Sequence, residues 1–82
     1  MTGRPGPTPE ERRWRQQVGR RLRWRRDLLG WTQVRLARAA DVPVSTVVAY
    51  EHGRTLIDLA RLARLAAALG VPVTELTEDS SG

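Results

Sequence analysis

Apolar residues recur along the chain at intervals of three, four and seven, and each run is closed by a glycine or a tight turn, a pattern that predicts helices rather than strands. The first run follows Thr8-Pro9-Glu10-Glu11. Thr8 can accept from the Glu11 amide, Pro9 suits the first helical position, and Glu11 can reach back to the cap. On a helical wheel Val18, Leu22 and Leu29 fall together, with Trp14 on one shoulder and Arg26 on the other, which carries the helix to about Leu29. Gly30 is the expected left-handed stop. Gly19, inside this helix, costs about 1 kcal/mol against alanine and so predicts close packing there.

A second helix of roughly two turns starts on Thr32 as its N-cap and buries Leu36, Ala37 and Ala40. Asp41 stands where a left-handed residue breaks the helix, a conformation aspartate tolerates better than most. Val42 then points inward, Pro43 opens a third helix to about His52, and Gly53 stops it. Asp58 is the expected N-cap of a fourth helix, with Leu59, Leu62, Ala63, Ala66 and Leu69 on one face, Leu65 at its margin, and Arg61 and Arg64 outward. Gly70 ends it, and Val71 to Leu76 fit one more short helix. Trp14 and Trp31 are assigned to the core and Trp24 to the surface. The expected fold is all-α, a compact bundle of four to five short helices over residues 8–76. A flexible basic arm, 1–7, precedes it and a disordered acidic tail, 77–82, follows.

Eighty-two residues allow one domain with a modest core, not a large catalytic cavity. The absence of cysteine excludes disulfides and thiolate metal sites, and the single histidine, His52, has no second imidazole with which to share a metal. No nucleophile and base stand together, so neither an enzyme nor a cofactor is expected. No apolar run approaches the ~20 residues of a membrane span, and the polar, proline-rich start does not read as a signal peptide, so the expected location is the cytoplasm.

The net charge of +5 is supplied by arginine alone. Its distribution changes the picture more than its size. Residues 1–26 carry nine arginines against Glu10 and Glu11, whereas residues 27–82 carry five against seven acids. Such a concentrated basic end points to a polyanionic partner, and the guanidinium fork suits phosphates and guanine edges. A membrane-surface role for residues 12–31 is disfavoured, because the core needs that helix's apolar positions.

The segment LGWTQVRLARAADVPVSTVVAYEHGRT resembles the Cro and phage-repressor (Xre-like) helix-turn-helix family, in the order Gly, apolar, Thr-Gln, Leu-Ala, turn, apolar, Glu-x-Gly. The likeness extends over about Val18 to Leu76, with the helix-turn-helix core at 32–52. It implies a lambda-repressor-like DNA-binding domain. Gln33, with Thr32 and Arg35 around the same helix start, would meet a DNA phosphate, where exposed amides and the positive helix end favour an anion. Arg54 and Thr55, after the Gly53 stop, would meet the DNA backbone. Glu51 shares the inward side of the third helix with Val47 and Tyr50 and needs a partner there; the resemblance supplies Arg26 for a structural ion pair.

Positions matching Val44, Ser45 and Ala49 would read base edges in the major groove, with Val48 on the same side. These side chains are short and largely apolar. Val44 and Ala49 can touch thymine methyls and Ser45 can make one hydrogen bond, but none can make a bidentate contact worth about 1–3 kcal/mol of discrimination. The implied protein is a nucleoid-associated, sequence-specific regulator of transcription, a repressor that binds duplex operator DNA as a homodimer. An antitoxin or protein-bridging module on the same fold, with a protein partner, is the alternative.

Overall fold

The computed structural model describes residues 6–78. Within them the chain forms α1 (Pro9–Leu28), α2 (Gln33–Ala40), α3 (Val44–His52), α4 (Leu59–Leu69) and α5 (Thr74–Thr77), with no strand among the described residues. Each of the three helix starts read from side-chain chemistry has a bond behind it. Thr8 Oγ1 accepts from Glu11 N at 3.0 Å, Thr32 Oγ1 from Arg35 N at 3.0 Å, and Asp58 Oδ1 from Arg61 N at 3.2 Å. Each cap satisfies a first-turn amide that the helix itself leaves open. Asp41 closes α2 at φ 56° and ψ 50°, with its own amide returned to Ala37 and Arg38 carbonyls. Pro43 caps α3 rather than starting it, since its extended backbone lies just outside the first turn.

One core joins the five helices. Val18 and Leu22 of α1, Leu36 of α2, Val47 of α3, Leu62 and Leu65 of α4 and Leu76 of α5 are fully shielded from solvent. Burial of each such side chain is worth about 1.5–3 kcal/mol. α1 packs on α3 and α5, while α2 packs on α3 and α4. Gly19 lies at the α1–α3 crossing, where an added Cβ would collide with the Tyr50 carbonyl oxygen and sit 2.8 Å from that of Glu51. The helix backbones therefore touch there directly.

Four expectations about burial need correction. Trp14 is 41% exposed, because the core begins a turn later at Val18 and the first turns of α1 extend past the helices that cover it. Leu29 is exposed as well: α1 ends at Leu28, and the turn into Gly30 takes Leu29 off the helical phase. On α4, Leu59 is 67% exposed and Ala63 is exposed, whereas Leu65 is fully buried. That helix is apolar almost all round, so two neighbouring stripes satisfy the same period, and packing against α2 selects Leu62, Leu65, Ala66 and Leu69. Trp31 is half-buried against the core and Trp24 is exposed. α5 reaches Thr77 with Glu78 as its C-cap, so the fold extends two residues into the expected tail. The rest of that tail, 79–82, and residues 1–5 of the expected arm lie outside the described residues. Of the arm's remaining residues, Pro7 offers its carbonyl to Arg12 Nη1 at 2.9 Å.

Candidate nucleic-acid interface

α2 and α3 meet through a turn of three residues, and Val42 packs partly buried beneath it. At the start of α2, Thr32 spends its hydroxyl lone pair on Arg35 N and its carbonyl on Leu36 N, at 3.1 Å. The Gln33 and Val34 amides, in the same first turn, are left to face an external acceptor. The Arg35 guanidinium carbon sits 4.9 Å from the centre of the Trp31 ring, a cation–π contact that holds the charge near the helix start.

α3 turns Thr46, Val47 and Tyr50 inward. Val44 and Ser45 are exposed, and Val48 and Ala49 are half-buried. The four candidate reading residues thus lie on one side of α3, in front of the core. Gly53 ends the helix at φ 67°, Arg54 is exposed and Thr55 is half-buried immediately beyond it. Two α3 contacts were not legible in the sequence. Thr46 is 7% exposed and accepts from Arg61 Nη1 at 3.3 Å, so Arg61 turns back to α3 instead of standing free. Tyr50 Oη accepts from Asp58 N at 2.8 Å, fixing the start of α4 to the underside of α3.

Behind the reading side, a carboxylate gathers three helices. Arg26 Nε donates to Glu51 Oε2 at 2.7 Å and Nη2 to Oε1 at 3.0 Å, a two-pronged contact between side chains only 11% and 3% exposed. The third prong, Nη1, donates to the Trp31 carbonyl at 2.7 Å. Gln33 Nε2 completes the set by donating to Glu51 Oε1 at 3.0 Å. The hydrogen bond to Glu51 raises the Arg26 pKa above its ordinary value against the opposing effect of burial, with further attraction from Glu51 and Asp27. One Gln33 amide hydrogen is therefore committed inward. That sharing has no sequence signal: it depends on how the start of α2 crosses α3.

Among the described residues, no cluster of three or more His, Asp or Glu side chains is placed to hold a metal, and no helix is long and apolar enough to cross a membrane.

Comparison with known proteins agrees with this geometry. A profile of the helix-turn-helix family matches residues 22–76. An uncharacterized HTH-type transcriptional regulator of Sinorhizobium medicae is 34% identical over 65 residues, which cover 79% of this chain and 47% of that protein. An uncharacterized transcriptional regulator in the ATPase CF(0) region of Rhodospirillum rubrum is 40% identical over 62 residues, 76% of this chain and 57% of that protein. The chain thus spans about half the length of the curated relatives it matches. The crystal structure of a hypothetical transcription factor, NHTF, from Neisseria superposes with a TM-score of 0.78 at 32% identity, over 95% of this chain and 90% of that one. By its matched profile, its relatives and its all-helical fold, this chain belongs to the helix-turn-helix family of the Cro and phage-repressor (Xre-like) type.

Proposed function

We propose that the protein regulates transcription by binding duplex operator DNA, with α3 in the major groove and the start of α2 on a flanking phosphate. The observation that carries this reading is the α2–turn–α3 unit, held by Arg26 and Glu51 so that Val44, Ser45, Val48 and Ala49 stand together in front of the core. In it Val44, Ser45 and Ala49 meet base edges and Val48 adds apolar contact. Gln33, Arg35, Arg54 and Thr55 meet the DNA backbone, with Thr32 setting the helix start. One copy presents too small a reading surface for a long site, so two copies bind as a homodimer. Titration with duplex DNA at several salt concentrations tests the reading. Binding weakens steeply as salt rises, because phosphate contacts release counterions. Absence of duplex binding at low salt removes the proposal.

A second reading, protein contact in the manner of an antitoxin or bridging factor, draws on Trp24, 57% exposed, and Leu28, 60% exposed, one turn apart on α1. Co-purification from the host distinguishes it: a stoichiometric protein partner that survives loss of DNA favours this second reading.

A further inference from the structure

A cleft opens where α1 crosses the C-terminal end of α3, lined by Gln16, Arg20, Glu51 and His52. Two glycines fix its shape. Gly19 lets α1 lie against the Tyr50 and Glu51 carbonyls, and a Cβ on Gly53 would stand 2.8 Å from Gln16 Cα. The backbones of α1 and α3 thus approach closely beside the cleft.

Its donors are unspent. Both oxygens of Glu51, the only acid lining the cleft among the described residues, are taken up by Arg26 and Gln33. Gln16, Arg20 and His52 make no side-chain hydrogen bond or ion pair among the described residues. Elsewhere on α1, Arg15, Arg23, Arg25 and Arg26 each face a carboxylate, from Glu11, Asp27, Glu75 and Glu51. An unpaired exposed arginine alone is ordinary. Arg20 differs because donors from two separate elements converge with it at the end of the reading side. His52 follows Ala49, Val48 and Ser45 by three, four and seven residues, so it continues their face of α3.

The proposed docking then identifies what lies opposite. A recognition helix of this kind meets base edges with its N-terminal residues, here Val44 and Ser45, so the His52 end, about 12 Å of rise further along, lies past those bases and beside the sugar-phosphate backbone. The profile match begins at residue 22, so Gln16 and Arg20 belong to the stretch of α1 that precedes it. We infer that Gln16, Arg20 and His52 form a phosphate-binding cleft through which the N-terminal part of α1 grips the DNA backbone. This rests on the proposed reading of duplex DNA. It adds grip without base preference, which compensates for the short side chains at Val44, Ser45 and Ala49.

The test uses the full chain, titrated against two duplexes of unrelated sequence across a salt series, with Arg20→Gln, Arg20→Lys and Arg25→Gln beside the parent. Arg25 bonds Glu75 on α5, so Arg25→Gln removes the same charge from the other side of α1. Arg20→Gln is expected to weaken binding equally for any duplex sequence and to lower the salt slope by about one. Arg20→Lys is expected to keep the slope, and Arg25→Gln to leave it nearly unchanged. Thermal melting checks that each variant is folded. If the parent binds duplex and Arg20→Gln leaves its slope intact, or Arg25→Gln lowers it as much, the cleft is overturned and the proposed function stands. If the parent binds no duplex, the function itself falls, and the cleft with it.

Discussion

Glu51 concentrates the energetic consequences of a single residue. Its carboxylate accepts from Arg26 twice and from Gln33 once while almost wholly enclosed. Removing one partner of a buried pair leaves the other charge uncompensated, at about 3–5 kcal/mol. Glu51→Gln is therefore expected to lower the unfolding free energy by about that amount, seen as a lower urea midpoint at unchanged slope, and an unaltered midpoint rejects the structural role. Replacing both partners, Arg26→Met with Glu51→Leu, is expected to cost less than either single change, since no charge is then stranded. That Glu51 required a buried partner was legible from its register beside Val47 and Tyr50. Gln33's share in it was not, because sequence spacing carries no information about the angle at which α2 meets α3. Gly19 sets two effects against each other. Alanine gains about 1 kcal/mol of helix propensity, but its Cβ meets the Tyr50 and Glu51 carbonyls. Overpacking against backbone costs about 1–3 kcal/mol and opposes that gain, so Gly19→Ala is expected to lower the melting temperature, where a rise would show that α1 can shift freely.

At the scale of elements, the helices most clearly written in the sequence are those with a chemical stop at each end. Thr32 and Asp41 bound α2, and Asp58 and Gly70 bound α4, because a cap or a left-handed residue is a local decision. Which face of α4 is buried is not local: Leu59 and Ala63 compete on equal terms with Leu65 until α2 is in place. The outward side of α3 was legible from its register opposite Val47 and Tyr50. Asp58 tests the coupling of α4 to α3. Its side chain caps α4 and its amide binds Tyr50 Oη. Asp58→Ala is expected to cost about 0.5–2 kcal/mol, the range for a lost cap, and Tyr50→Phe about 1 kcal/mol for one hydrogen bond. The two changes touch different atoms of one junction, so a double variant measured by denaturation is expected to be near additive. A large coupling energy would mean that the junction moves as a unit.

Taken whole, the proposed reading of duplex DNA separates grip from base reading. Its basic surplus lies in residues 1–26, while the α3 side that faces outward carries Val44, Ser45, Val48 and Ala49, with no formal charge. On that reading, a protein so divided would draw affinity from phosphates and little discrimination from any one base. Two copies joined on one duplex recover discrimination by geometry, because both reading helices must find half-sites on the same face, about 34 Å or 10–10.5 base pairs apart. This yields a prediction independent of the operator sequence. Once a preferred half-site has been selected from random duplexes, two copies at that spacing are expected to bind cooperatively and much more tightly than one. Inserting about five base pairs turns the second half-site to the opposite face and is expected to abolish the gain while leaving single-site binding and its salt slope intact. Equal affinity at both spacings would mean that the copies bind independently, and the homodimer would have to be given up while binding through α3 was retained.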